Sequence, residues 1–394
     1  MGRDPKGGVS RFSFTAEHAA ACQCLAKWMR DAGLDSYLDY AGNLFGVPTD
    51  VCGSEQAVVL AGSHIDTVPM GGTLDGALGV VAAIEAAQVL RDAGIRLAHP
   101  LAVVAFADEE GHSFGIGCLT SRALVGELPP EKMAEIHDRE GRTLAARASA
   151  WTCALPRLTA PSVAAYLELH IEQGPRLDAA GLDAAAATTI VGISRTTVTF
   201  TGRSNHAGTT PMESRQDALW GASSFVLALR ELAFASHGEA VATAGAVEVE
   251  PGATNVVPGV ARVRVELRGI SQLSLAVPRD AAVACARAAA SQYGLAVRLD
   301  PWDTMPATPL DAGLVDIALA AAARGGVRAI RMPSWAGHDV KILAPHVPAA
   351  LLFVPSRGGV SHAPDEYTEL AQLARGAQLL LDTIRETDHY LSGH

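Results

Sequence analysis

Long apolar runs are missing from this sequence of 394 residues: Glu85, Arg91 and Asp92 interrupt the best candidate, so no uncharged stretch reaches membrane-spanning length. Aromatic residues are scarce at 5%, and charged residues reach 19% against 49% apolar, a balance that builds a packed core and excludes a disordered chain. Cysteine is sparse as well. The six residues at 22, 24, 52, 118, 153 and 285 are scattered, and Cys22-Gln-Cys24 is too tight for a usual zinc pair. Such usage fits reduced thiols in a cytoplasmic protein. No basic cluster occurs, and 42 acids against 31 bases give a net charge of −11, which argues against nucleic acid as a partner. The start, Met1-Gly-Arg-Asp-Pro-Lys-Gly-Gly, lacks the apolar core of a secretory signal. There is no internal repeat and no low-complexity linker, and the length accommodates two domains of ordinary size. These absences leave a compact cytosolic enzyme, with no membrane and no nucleic acid as partners, and name no reaction.

What the sequence does contain is concentrated in residues 62–76, Gly-Ser-His-Ile-Asp-Thr-Val-Pro-Met-Gly-Gly-Thr-Leu-Asp-Gly. An apolar run of strand length, 57–61, precedes it. His64 and Asp66 then fall just past the strand end, two apart, so that their side chains can face the same way. A turn rich in Gly and Pro follows, and Asp75 sits at its far end, ahead of the apolar helical stretch 77–90. An imidazole, a neighbouring carboxylate and a second carboxylate returning on a loop are the makings of a metal site.

Taken in order, the spacing predicts a helix over 15–33, strands over 44–47 and 57–61, a helix over 77–93 and a strand over 101–107 that ends in Asp108-Glu109-Glu110-Gly111. Strand, helix and strand in this order mark a right-handed crossover in a largely parallel sheet, whose chemistry gathers at the carboxyl ends of the strands. Residues 130–160 read as Ala-rich helices without evident chemistry, and a strand over 164–169 ends in His170-Ile-Glu-Gln-Gly-Pro175. Composition changes near residue 192. Strands over 196–201, 243–249 and 261–268 alternate with helices over 217–233 and 280–294, marking a small inserted α+β domain over 193–307. The remainder, 1–192 with 308–394, forms one discontinuous α/β domain with a mostly parallel central sheet flanked by helices; its last elements are a strand over 349–354 and a helix over 366–385.

Collected by position, the candidate ligands are His64, Asp75, Glu109, Glu110, His170 and His362, each in a Gly-containing loop. Three imidazoles with carboxylates suit Zn²⁺ or another borderline dication better than Mg²⁺. Two metals sharing one carboxylate account for this number of donors.

These motifs carry a resemblance. His-x-Asp, Asp-Gly, Glu-Glu-Gly, the His-Ile-Glu-Gln-Gly-Pro run and the late Ser361-His-Ala-Pro364 resemble the M20 clan of metal-dependent amidases and peptidases. The loop 202–212, Gly-Arg-Ser-Asn-His-Ala-Gly-Thr-Thr-Pro-Met, and Asn255-Val-Val-Pro-Gly259 are similar to one branch: N-carbamoyl-L-amino acid hydrolases, β-ureidopropionases and allantoate amidohydrolases. The likeness runs from about Gly7 to the end. It implies two divalent ions per subunit, with Zn²⁺ foremost and Mn²⁺, Co²⁺ or Ni²⁺ as alternatives. Asp75 resembles the bridging carboxylate, His64 and His170 the ligands of one metal, and Glu110 and His362 those of the other; which imidazole partners His64 stays open on the residues alone. Asp66 resembles the group that hydrogen-bonds the far nitrogen of His64. Glu109 resembles the general base that takes a proton from the metal-held water and passes it to the leaving nitrogen.

The resemblance further implies that the inserted domain is a lid that also forms a homodimer. Arg268 resembles the residue that forks onto the carboxylate of a small-molecule substrate. Asn255 resembles its neutral partner, Gln173 a contact on the catalytic side, and His206 an oxyanion stabiliser reaching into the neighbouring subunit's site. His338, in Ala-Gly-His-Asp339, is a further substrate-contact candidate, while His112 and His346 read as structural. The implied reaction is hydrolysis of the C–N bond of an N-carbamoyl L-amino acid, N-carbamoyl-β-alanine or allantoate.

Two departures from the pattern stand out. Ser334-Trp-Ala-Gly-His-Asp339 replaces the usual Ser-Gly-Ala-Gly-His-Asp, so Trp335 adds bulk beside the site and keeps an N-acyl amino acid amidase or dipeptidase in view. The family also generally carries another helix ahead of Gly7-Gly-Val-Ser-Arg11. A binding protein that kept the fold without the chemistry is the rival from another class, and it would lack a ligand or the base; none is missing.

Overall fold

Four apolar strands run parallel at the centre of one sheet, in the order Leu101–Phe106, Val58–His64, Val163–Ile171, Ala349–Val354. Three of them are buried at every residue. Strands covered on both faces read as unbroken apolar runs, which is why these segments stand out in the sequence. The computed structural model describes residues 1–151 and 153–393. Within these, the chain divides into two compact units, Met1–Thr188 with Pro309–His394, and Thr189–Thr308.

In the first unit the parallel core is extended by antiparallel partners. Leu44–Pro48 pairs with Leu101–Phe106, Leu34–Leu38 with Leu44–Pro48, and Ala184–Ile190 with Ala349–Val354. The helices Ala77–Asp92 and Leu370–Leu391 pack against the sheet. Because the central strands share one direction, their carboxyl ends lie on one side. His64 is the last residue of its strand, His170 the last but one of its own, and Glu109 and His362 follow the ends of theirs.

Some elements differ from the sequence reading. Ala184–Ile190, which the sequence reading leaves unassigned, is a strand although its alanines favour a helix, because it is buried beside Ala349–Val354 and tertiary packing overrides propensity. The last helix begins at Leu370, not 366. Glu369 caps it in a capping box with Gln372, while Thr368 bonds the Pro355 carbonyl, holding the preceding residues out of the helix.

The second unit is an antiparallel sheet in the order Ala296–Leu299, Gly192–Thr201, Val260–Gly269, Ala240–Glu250, with Asp303–Met305 also paired to Gly192–Thr201. Helices Ala218–Ala235 and Gln272–Gln292 cover one face around Phe200, Phe225, Val263 and Leu267. Gln272–Gln292 starts earlier than the spacing predicts. It runs through Pro278 from a Ser271/Ser274 capping box. Ala218–Ala235 has the length and apolar content of a membrane span, yet its Ala218, Ala222, Phe225 and Leu229 belong to this unit's core. On the opposite face of the sheet the strand Val260–Gly269 presents Arg262, Arg264, Glu266 and Arg268.

Candidate metal centre and active site

The loop after Val58–His64 returns Asp75 to His64, and the backbone makes that possible. Gly76 has φ +64, and a Cβ there would stand 2.5 Å from His64 Nε2. Asp75 then lies between two imidazoles: Oδ1 is 3.1 Å from His170 Nε2 and Oδ2 is 2.9 Å from His362 Nε2. His362 Nε2 is also 3.3 Å from Glu110 Oε1. Two three-residue groupings, His64–Asp75–His170 and Asp75–Glu110–His362, each bring their ligand atoms within 4.8 Å of one another, and Asp75 is common to both.

The outer nitrogens of two of the imidazoles are already engaged. His64 Nδ1 bonds the Asp66 carbonyl oxygen at 3.0 Å, and His170 Nδ1 the Ile171 carbonyl oxygen at 2.9 Å. Those acceptors take the Nδ1–H, so that Nε2 is the nitrogen that a metal would use once its proton is displaced. The Asp66 carboxylate lies 3.6 Å from His64 Nδ1, within ion-pair distance, and also accepts the backbone N–H groups of Glu109 and Glu110, one per oxygen, both at 3.1 Å. The main-chain carbonyl is nearer to the imidazole, and the carboxylate is taken by the turn that carries the two glutamates.

Charge at the cluster is strongly unbalanced toward acids. Burial pulls His64 down, but Glu109, Asp66 and Asp75 outweigh it and hold the imidazole well above its ordinary range. Burial likewise opposes Asp75, yet hydrogen bonds from His170 and His362 hold it well below the usual carboxylate range. Glu110 is pushed up to about 7 by burial first, with Asp75 adding to it against His64. Glu109 is raised well above its usual range, again by burial first, with Asp339 and Glu110 adding to it. Buried carboxylates that hold imidazoles protonated are a donor set in which divalent cations would displace protons, and the nitrogen and oxygen atoms suit a borderline ion. The residues present therefore fit the metals that the sequence implies.

Around the cluster, Gln173 Nε2 lies 3.2 Å from Asp75 Oδ1 and 3.3 Å from His362 Nε2, while its buried Oε1 has no partner among the described residues. Glu109 Oε2 is 3.8 Å from His64 Nε2. His338 lies beside His170. It is 2% exposed, bonds Ser334 Oγ at 2.9 Å and stands edge-on to His170 with ring centroids 4.5 Å apart, so it braces a candidate ligand from behind. A third grouping, Glu168–His170–His338, is already satisfied, because Glu168 accepts Ser63 Oγ at 2.7 Å and the Val340 N–H at 3.0 Å. His112 stacks on Phe12 with centroids 4.0 Å apart, away from the ligand set.

Two residues at the site carry no signal in the sequence. Glu366 Oε1 accepts the N–H groups of Leu74 and Asp75, at 2.9 and 3.1 Å, and Oε2 accepts Ser361 Oγ, so one buried acid ties the Asp75 loop to the His362 loop. Gly72 is bare where a Cβ would collide with that carboxylate. Cys118 places its thiol 3.1 Å from Glu109 Oε1, and burial followed by the Glu109 and Asp339 charges holds it well above the usual thiol range, as a donor. A loop acid and a buried thiol show no periodicity to read.

In the second unit, Asn205–His206 pairs with Val256–Val257, and Ala207 N–H bonds the Asn255 carbonyl at 2.9 Å, so His206 and Asn255 are neighbours. His206 Nδ1 accepts the Gly208 and Thr209 N–H groups at 3.0 and 3.2 Å. That leaves Nε2 as the proton-bearing nitrogen, a ready donor toward an oxygen. Arg268 Nε bonds Glu266 Oε1 at 2.7 Å, and Arg195 Nε holds the other oxygen of Glu266 at 2.8 Å.

Comparison with known proteins extends this picture. The profile of Peptidase family M20/M25/M40 matches residues 60–386. The chain is 37% identical to an N-carbamoyl-L-amino acid amidohydrolase of Geobacillus stearothermophilus, over 98% of this chain and 94% of that protein. It is 36% identical to an allantoate amidohydrolase of Escherichia coli K12, over 96% and 93%. Among solved structures, a hydantoinase/carbamoylase family amidase from Burkholderia ambifaria superposes with a TM-score of 0.90 at 35% identity, covering 97% of this chain and 93% of that one.

Proposed function

Because the chain belongs to Peptidase family M20/M25/M40, we propose that it is a metal-dependent amidohydrolase that cleaves the C–N bond of an N-carbamoyl L-amino acid or a close ureido relative such as N-carbamoyl-β-alanine or allantoate. The observation that carries this reading is the pair of ligand groupings joined at Asp75, with Glu109 alongside, in a chain similar over nearly its whole length to enzymes named for these substrates. His64, Asp75 and His170 would hold one divalent ion, and Asp75, Glu110 and His362 a second, with Zn²⁺ the first choice by donor type and Mn²⁺, Co²⁺ or Ni²⁺ as alternatives. Two such ions would polarise the scissile carbonyl and acidify an attacking water.

The chain's own residues do the rest. Glu109, buried and raised above its usual range, takes the proton of the water and delivers it to the leaving nitrogen. Gln173 orients the substrate over Asp75 and His362. Arg268 and Asn255 receive its free carboxylate, and His206, with Nε2 carrying the proton, donates to the oxygen that becomes anionic. For a simple N-carbamoyl substrate the products are the free amino acid, CO₂ and ammonia.

The second unit serves as lid and dimer contact in this proposal. Its helix Ala218–Ala235 leaves Leu227 and Phe234 64% and 65% exposed, and Ala240–Glu250 is a sheet edge, which together suit a second copy of the chain. The free thiols accord with a cytoplasmic protein. A second reading, an N-acyl amino acid amidase or dipeptidase, is favoured by one observation, the Trp335 indole with the Arg176 guanidinium 5.9 Å from its centroid.

The test is ammonia release after reconstitution with Zn²⁺ or Mn²⁺, from N-carbamoyl L-amino acids, N-carbamoyl-β-alanine and allantoate, beside N-acetyl and dipeptide substrates scored by free amine. Ammonia from a ureido compound, abolished in Glu109→Gln, is the expected result. Turnover of acyl compounds alone would move the specificity, and full activity of Glu109→Gln would remove the base. A monomer by light scattering would overturn the dimer.

A further inference from the structure

Cys118 holds Glu109 at two points. Its backbone N–H donates to the Glu109 carbonyl oxygen at 2.7 Å, and its thiol donates to Glu109 Oε1 at 3.1 Å. The side chain is 7% exposed, and the backbone is left-handed at φ +52, a conformation uncommon for a residue other than Gly, Asn or Asp. A buried cysteine that served only as a small apolar filler would face carbon; this one faces a carboxylate.

The two oxygens of Glu109 are thereby made unequal. Oε1 is engaged by the thiol, while Oε2 lies 3.8 Å from His64 Nε2, on the side of the ligand cluster. Asp66 fixes the N–H of the same glutamate at 3.1 Å, so main chain and side chain are restrained separately. Without a donor on Oε1 the carboxylate can turn about its last torsion, which is broad and poorly defined by intrinsic preference.

We propose that Cys118 is a positioning residue for Glu109: its thiol anchors Oε1 so that Oε2 is the oxygen that takes and returns the proton. This rests on Glu109 being the base. The thiol forms no covalent bond and exchanges no proton with substrate. A weak S–H donor is sufficient, because the task is to select one orientation of a carboxylate that is only 9% exposed.

The experiment compares wild type, Cys118→Ala, Cys118→Ser and Glu109→Gln as metal-reconstituted full-length protein, with metal content, thermal midpoint, kcat and KM measured on the best substrate of the panel. Cys118→Ala is expected to lower kcat about tenfold while KM stays within about twofold and metal content is unchanged. Cys118→Ser, which restores a donor, is expected to return kcat to within about threefold of wild type. Should the alanine variant fold poorly, Cys118→Gly, which tolerates the left-handed backbone and has no donor, takes its place. Wild-type kcat in the donor-less variant beside an inactive Glu109→Gln would overturn the positioning role, and so would equal losses in the serine and donor-less variants. An active Glu109→Gln would instead overturn the assignment of the base, a result distinguishable from either.

Discussion

Replacing Asp66 by asparagine separates two roles that one carboxylate beside a histidine can have. In the structure its oxygens each accept a buried N–H, from Glu109 and Glu110, while His64 leans on the main-chain carbonyl of residue 66, which the substitution leaves in place. Asparagine keeps one acceptor and turns an NH₂ group toward the other N–H. The loss is one charge-assisted hydrogen bond and one buried donor without a partner, together about 3 kcal/mol. For a unit of this size that lowers the thermal midpoint by roughly 5–10 °C. The turn bearing Glu109 and Glu110 loses an anchor, so kcat falls about 100-fold, at the upper end of what supporting residues around a metal contribute. Metal content, thermal midpoint and ammonia release on the reconstituted Asp66→Asn variant provide the assay. A midpoint within about 1 °C and kcat within about twofold of wild type would refute the reasoning, because a buried amide cannot lose its acceptor without effect.

Further tests follow from sites around this centre. Burial pulls His18 down to about 4, where its Nδ1 accepts the Phe14 N–H and its ring stacks on Trp151; Asp66 opposes the shift and Arg11 adds to it. The neutral form is favoured in the folded state, so this stability is full above the unfolded value near 6.5 and is lost as pH falls toward 4, with about 2 kcal/mol gone by about pH 5. His18→Gln should flatten the pH dependence of the unfolding midpoint by that amount between about pH 7.5 and pH 5, and parallel curves for the two proteins would contradict the assignment. Trp335→Gly removes the ring over which Arg176 lies, and should raise kcat/KM for bulky ureido substrates relative to small ones by about tenfold, acting mainly through KM. An unchanged substrate ranking would show that Trp335 takes no part in selection.

Much of the first unit was legible because its central strands are buried on both faces, so composition alone announces Val58–His64 and Leu101–Phe106. The polar loops after them stand out against those runs. What could not be read is where side chains spend their hydrogen bonds. Asp66 sits two residues from His64, which invites a pairing, yet its carboxylate is claimed by amides that arrive from the neighbouring strand's turn. Glu366 looks like any loop acid, and its task depends on a segment nearly three hundred positions earlier in the chain. His338 precedes an aspartate in a Gly-containing loop, and the sequence does not show that its ring stands edge-on to His170. Ala184–Ile190 goes unread for a different reason: alanine is a weak strand former, and its neighbour in the sheet makes it one.

The strand Ala349–Val354 is one of the last elements in the chain, yet it lies inside the sheet, between Val163–Ile171 and Ala184–Ile190. On the ribosome, both of its neighbours emerge well before it does. Until it arrives they have no partner for the edges they will share with it, and an unpaired apolar edge is a template for any other nascent strand. The sheet is closed from within by a late guest, and the loop that follows this strand brings His362. Assembly of the ligand cluster and sealing of the sheet thus wait for the same late segment, and a chain released before it would keep an open seam and lack His362.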